Sequence, residues 1–262
     1  MIELHAGRAR CAISPSDGAR VASLRIGDRE LLGGRAESSD PMRWGSYPMV
    51  PWAGRVRAGR FTFDGVEHEL PLDMPPHAIH GTGYISAWSV GNVTDQSAAM
   101  ALQLAAPWPF GGRVEQTFSL EADALTCRLT VTAADRAMPV QVGWHPWFLK
   151  PTSAHLRFAH MYQRDAAGIP TGDLVTPPDA PWDDCFVEPL GPLILEYDDL
   201  RVTVSSDCDH WVVYDMPDHA TCVEPQSGPP DAFNLCPNRL HPGESLTRWM
   251  RIEWRDPATD TP

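Results

Sequence analysis

Apolar and polar residues alternate along much of this chain with a period of two. Leu125, Cys127, Leu129 and Val131 take turns with Thr126, Arg128, Thr130 and Thr132, the pattern of a strand with one face buried and the other solvated. The preceding VEQTFSL alternates in the same way, with a turn at residues 121–124 between the two. In RFTFDGVEHEL a second hairpin is marked by Asp64 and Gly65, a two-residue connection that tolerates positive φ between alternating apolar positions. Further strands are expected at residues 193–197, 201–205, 211–214, 221–224 and 246–254. The 26 prolines and 20 glycines are so evenly spread that the longest stretch without either runs over residues 113–138, and that stretch reads as strand. With no amphipathic helix and abundant turn residues, the fold class expected is all-β, a large antiparallel β-sandwich or a barrel. No repeat or low-complexity linker divides the 262 residues, so a single domain spanning 1–262 is expected. Residues 168–184, with four prolines, read as a long ordered loop over the sheets.

Charge and composition narrow the partners. A net charge of -13 repels phosphate backbones and anionic headgroups, and no basic block offsets it, so neither nucleic acid nor membrane is an expected partner. The first thirty residues hold no apolar stretch long enough for a signal-peptide core, and no later segment reaches the ~20 apolar residues of a membrane span, so a cytoplasmic location is expected. Cys11, Cys127, Cys185, Cys208, Cys222 and Cys236 include no CxxC pair and are read as reduced, buried thiols.

Candidate chemistry concentrates in a few segments. In VQVGWHPWF the alternation puts Val140, Val142 and Trp144 on one face and Gln141, Gly143 and His145 on the other. His145 thus faces solvent or a groove, either as a structural histidine at a strand end or as a proton donor flanked by the flat surfaces of Trp147 and Phe148, which suit a sugar. Glu224 closes the apolar run of CVEPQSGPPDAFN, either as an exposed strand-end carboxylate or as a group facing a cleft beside Gln226, Asp231 and Asn234, whose side chains can bind hydroxyls. A carboxylate and an imidazole, with ordinary pKa values near ~4.3 and ~6.5, are the usual pair for taking one proton and giving another near neutrality. His80 sits on a tight loop in PHAIHGTGY. Arg55, after Ala53 and Gly54, is the arginine of PWAGRVRAGRF expected to turn toward a ligand, with Arg57 and Arg60 exposed. Asp183 and Asp184 are neighbours on an extended chain, so at most one faces a site. A metal site built from His77, His80 and His145 has no HxH or HExxH to support it, and no metal or cofactor is expected. Nucleophile-elbow, Walker and dinucleotide fingerprints do not occur.

Taken in order, GSYPMVPWAGRVRAGRFTFDG, HAIHGTGY, GWHPWF, DDCFV and CVEPQSGPPDAFN resemble the aldose 1-epimerase (mutarotase) family of the galactose mutarotase-like superfamily, over most of the chain. The resemblance implies a large antiparallel β-sandwich with a concave sugar-binding face, a small-molecule sugar as partner, and metal-free acid–base catalysis. It implies that His145 is the general acid on the ring oxygen, that Glu224 is the general base on the C1 hydroxyl, and that Arg55, His80 and Asp183 contact substrate oxygens. Two positions depart from the family pattern: Gly54 stands where an asparagine often precedes the arginine, and Asp184 where a histidine often follows the aspartate. Three alternatives accompany this reading: a mutarotase for a 6-phosphorylated or 6-sulfonated hexose, a non-catalytic carbohydrate-binding protein, and a metal-dependent enzyme using the three histidines.

Overall fold

The alternating segments become strands of two packed sheets. In the computed structural model, which describes residues 1–36 and 38–257, Arg113–Leu120 buries every second side chain, with Val114, Gln116, Phe118 and Leu120 turned inward. It pairs in antiparallel register with Ala124–Thr132, which in turn pairs with Ser245–Arg255. These strands lie in an 8-stranded sheet whose spatial order is Ser89–Val93, Ser97–Gln103, Arg113–Leu120, Ala124–Thr132, Ser245–Arg255, Leu200–Ser206, Leu193–Tyr197 and Ser153–His155. Its inner face presents Phe118, Leu125, Cys127, Leu129, Val131, Val202, Val204, Met250 and Ile252. Each large side chain removed from water in this way stabilises the fold by ~1.5–3 kcal/mol before chain entropy is counted.

Opposite it lies an 11-stranded sheet. Its order runs Ile2–Ala6, Ala9–Ser14, Arg20–Ile26, Ser46–Met49, Gly143–Leu149, Ala220–Gln226, His210–Tyr214, Asp183–Pro189, Phe158–Arg164 and Pro170–Val175, with Arg29–Glu30 attached to Arg20–Ile26. Trp144, Phe148, Trp211, Val213, Val223 and Phe186 point from it into the shared core. The expected β-sandwich is therefore present, and among the described residues its helical content is slight: the four-residue Ala232–Leu235 and three short 3-10 turns. Among the described residues no helix is long and apolar enough to cross a membrane.

Two expectations need correcting. Residues 168–184 are not one loop, because Pro170–Val175 pairs with Phe158–Arg164 and Asp183 opens the strand Asp183–Pro189. The paired segment lies at the edge of its sheet, where a strand needs one partner only and tolerates proline and polar residues, so it carries no hydrophobic alternation. Five cysteines are buried, but Cys236, just beyond the short helix, is exposed.

Two segments lie off the sandwich. The predicted hairpin forms as Arg60–Phe63 and Val66–Glu69, with Asp64 at φ 52° and Gly65 at φ 75°. Arg55–Val56 pairs with Ala78–Ile79 as a separate two-stranded patch, and the chain leaves that patch through His80 at φ 59° and Gly81 at φ 75°. A Cβ on Gly81 would lie 2.0 Å from the Val50 carbonyl oxygen, so only glycine permits this turn. Gly81→Ala is expected to lower stability by more than ~2 kcal/mol through strain and clash, read as a fall in melting temperature in thermal denaturation; a melting temperature equal to that of the wild type would contradict the packing described.

Candidate active site

The centre of the 11-stranded sheet is covered on both faces. Every residue of Ala220–Gln226 is buried, as are the first six of Gly143–Leu149. The register pairs Gly143 with Gln226 and Trp147 with Cys222, which sets His145 directly across from Glu224. Alternation sends Trp144, Phe148 and Val223 to the core, so His145, Trp147, Glu224 and Gln226 emerge on the other face, where they line a cavity of about 160 Å³. His145 Nε2 lies 3.2 Å from Glu224 Oε1, with side chains only 7% and 2% exposed. Gln226 Nε2 donates to Glu224 Oε2 at 3.4 Å.

The remaining predicted residues converge on the same cavity, which Arg55, His80 and Asp183 also line. Arg55 and His80 come from the detached two-stranded patch. The Gly54 N–H donates to His80 Nδ1 at 3.3 Å, which leaves Nε2 as the N–H of that imidazole, and the His80 ring meets His145 edge-on at 5.2 Å. Arg55 Nη2 lies 3.5 Å from Asp183 Oδ2. Of the two aspartates it is Asp183 that lines the cavity, while Asp184 turns to Arg164 Nε at 2.7 Å. Arg164 Nη1 also reaches Asp183 Oδ2 at 3.6 Å, so one guanidinium braces both carboxylates.

Other candidates are engaged elsewhere. Asp231 accepts from the Arg57 backbone N–H and from Asn234, and Asn234 also donates to the Arg60 carbonyl, so both fasten the chain and do not line the cavity. Phe148 points into the core. Trp147 is no open sugar platform either: its ring is stacked against His145 at 5.2 Å and against His219 at 6.2 Å. His77 Nδ1 accepts from the Ala58 N–H outside the cavity, so the three-histidine cluster does not assemble. Sequence reasoning missed Tyr47 and Arg164; Tyr47 lies inside a quoted motif but in a strand buried throughout, and Arg164 ends a strand without any local signal.

Burial dominates the electrostatics. It pushes the Glu224 carboxyl well above the usual range, reinforced by Asp183 and opposed by Gln226 and Arg55. It depresses the His145 imidazole to about 3 and the His80 imidazole well below its ordinary value. Asp183 is raised by the same loss of water, against the pull of Arg55 and Arg164. Burial thus disfavours the charged form of both Glu224 and His145, which lie within reach of a shared proton. His145, Cys222 and Glu224 also bring one ligand atom each within 4.8 Å of one another. Burial and the Glu224 carboxyl push the Cys222 thiol well above its ordinary value.

Comparison with known proteins gives the family and the fold. The family description Aldose 1-epimerase matches residues 1–253. The chain belongs to the aldose 1-epimerase family. Among curated relatives, the uncharacterized protein YphB of Escherichia coli K12 is 34% identical over 105 residues, which cover 39% of this chain and 36% of that protein. An Escherichia coli K12 crystal structure described as a candidate aldose 1-epimerase superposes with a TM-score of 0.85 at 22% identity, covering 97% of this chain and 98% of that one. A galactose mutarotase-like protein from Clostridium acetobutylicum gives 0.86 at 17% identity, covering 97% and 95%. These likenesses place the fold among the galactose mutarotase-like β-sandwiches. Within this aldose 1-epimerase family chain, the departure at Gly54 has a local cause: its φ is 68°, and a Cβ there would lie 2.9 Å from Pro230.

The buried pair carries a stability signature. A carboxyl raised in the folded state contributes fully below its unfolded pKa, and that contribution is lost as pH rises from ~4.3 toward the folded value. Glu224→Gln should therefore melt higher than the wild type above that window and show a flatter dependence of melting temperature on pH. Equal pH dependence in the two proteins would show that Glu224 is not held as described.

Proposed function

We propose that this chain is an aldose 1-epimerase (mutarotase) that interconverts the α and β anomers of a hexose by metal-free acid–base ring opening and closure. The observation that carries this reading is the His145–Glu224 pair, 3.2 Å apart on the floor of a cavity. An acid and a base this close can act together on two oxygens bound to one carbon, and the anomeric carbon of a cyclic sugar is such a centre. Glu224 takes the proton of the C1 hydroxyl, and His145 Nε2–H gives a proton to the ring oxygen. The C1–ring oxygen bond breaks and the C1–hydroxyl oxygen bond becomes a carbonyl. Rotation about C1–C2 and closure with the roles reversed yields the other anomer.

The perturbed pair suits this task. Burial makes ionised Glu224 a stronger base and protonated His145 a stronger acid than their exposed counterparts. The competent arrangement has the shared proton on His145. A sugar hydroxyl against the carboxylate, with Arg55 nearby, favours it. Arg55, His80 Nε2–H and Asp183 serve as the hydroxyl and ring-oxygen contacts.

A neutral sugar is favoured over a 6-phosphorylated or 6-sulfonated one, because Arg55, Arg164 and Arg43 each lie within 4 Å of an aspartate carboxylate. A non-catalytic binding protein would gain nothing from burying an acid–base pair at a cost in stability.

Anomeric exchange followed by NMR across neutral, 6-phosphorylated and 6-sulfonated hexoses tests the proposal. The wild type should accelerate exchange of a neutral hexose, and Glu224→Gln and His145→Asn should each lose about 10²–10⁴-fold in kcat while still binding sugar. On the acid side kcat/KM should fall as Glu224 becomes protonated, at a pH above the ~4.3 of an ordinary glutamate. Wild-type rates in either variant would remove that residue from its role.

A further inference from the structure

His145 lacks the bond that commonly aims a reactive imidazole, a hydrogen bond from its second ring nitrogen to a carbonyl or carboxylate. Its Nδ1 is buried and, among the described residues, makes no hydrogen bond of good geometry, with only its own main chain lending some support to the charged ring. With Nε2 turned to Glu224, the plane of the ring is left to packing. Two aromatic rings flank it: Tyr47 at 4.9 Å and 29° between planes, and Trp147 at 5.2 Å and 12°.

Both flanking rings end on one acceptor. Tyr47 Oη donates to the Met42 carbonyl oxygen at 3.1 Å, and Trp147 Nε1 donates to the same oxygen at 2.8 Å. The turn bearing that carbonyl is itself held. The Met42 N–H donates to Asp40 Oδ1 at 2.9 Å, and Arg20 Nη1 donates to the carbonyls of Pro41 at 2.8 Å and Trp44 at 2.9 Å. Arg20 is fully buried and makes no ion pair among the described residues. It is solvated by those two carbonyls, by the carbonyls of Asp17 and Tyr84, and by the ring faces of Trp44 at 4.1 Å and Tyr47 at 5.1 Å. Burying a guanidinium without a counterion is costly, and the cost falls here on a residue whose bonds fix the turn behind His145.

We propose that Tyr47 and Trp147, gripped together by the Met42 carbonyl, are positioning residues that aim the His145 ring, and that Arg20 anchors the turn supplying that carbonyl. The inference rests on the reading of His145 as the acid of the reaction. Neither Tyr47 nor Trp147 needs to touch the sugar for this role. Each keeps the Nε2–H vector on the line between Glu224 and the ring oxygen, where small misalignments are expensive.

The variants Tyr47→Phe, Trp147→Phe and their combination separate this role from bulk packing, because each keeps an aromatic ring and removes one bond to Met42. Long-range ¹H–¹⁵N spectra of the ligand-free protein report the tautomer of the His145 ring, and anomeric exchange with D-glucose and D-galactose reports turnover. The expected result is one fixed Nε2–H tautomer in the wild type, averaged ring shifts in the double variant, and kcat lowered about 3- to 10-fold in each single variant with KM within about twofold. The two losses should combine non-additively, since both bonds share one oxygen. Arg20→Lys, which keeps the charge but cannot reach all four carbonyls, should loosen the ring in the same way. An unchanged His145 spectrum in the double variant, or a melting temperature that falls while kcat holds, would overturn the proposal. If the wild type exchanges neither sugar, the reading of His145 as the acid fails, and the ring spectra still decide whether the clamp orients it.

Discussion

The antiparallel pairing of Gly143–Leu149 with Ala220–Gln226 is the constraint on which the site depends. It puts an imidazole opposite a carboxylate, and because side chains alternate, a slip of either strand by one residue would send its own member of the pair into the core and bring apolar groups out. Gly143 helps lock this register, for a Cβ there would lie 2.6 Å from the Pro225 carbonyl oxygen. The opposed sheet supplies the apolar mass that holds the strands flat against it. The segments covering the other face supply the low-dielectric surroundings that shift both titratable groups. The same burial that holds the strands together therefore weakens the charged form of each partner, and stability and proton affinity cannot be set separately here.

Much of the 8-stranded sheet was legible as alternation, because its outer face meets water: residues 113–120 and 124–132 show their period in sequence as they do in burial. The centre of the larger sheet was less legible for the same reason reversed. With both faces covered, the Gly143–Leu149 and Ala220–Gln226 strands read as largely apolar runs, and among the few polar residues inside them His145, Glu224 and Gln226 are what a site leaves behind. Periodicity gave His145 its face but could not say that Glu224 lies across from it, since pairing of distant strands has no local signature. The ordered motifs of a family resemblance supplied that partnership. Asp231 and Asn234 misled because a short side chain that binds a hydroxyl binds a backbone amide or carbonyl equally well.

The arginines divide their work by what surrounds them. Arg20, without a carboxylate, is held by carbonyls and ring faces, a form of solvation only a planar guanidinium can use. Arg164 spans Asp183 and Asp184, and together with Arg55 it opposes the rise that burial imposes on the Asp183 carboxyl at the cavity wall. Sequence distance conceals both roles.

Arg55 and His80 do not belong to the sandwich at all. They ride together on the patch formed by Arg55–Val56 and Ala78–Ile79, joined to each other by the bonds between Gly54 and His80. In the proposed reaction, proton transfer would thereby be built into the sheet, whose geometry tolerates little change, while part of the sugar's recognition would fall to a small module resting against it. On that reading the module can be reshaped as a unit, changing which hydroxyl pattern it accepts, without disturbing the His145–Glu224 pair on the sheet.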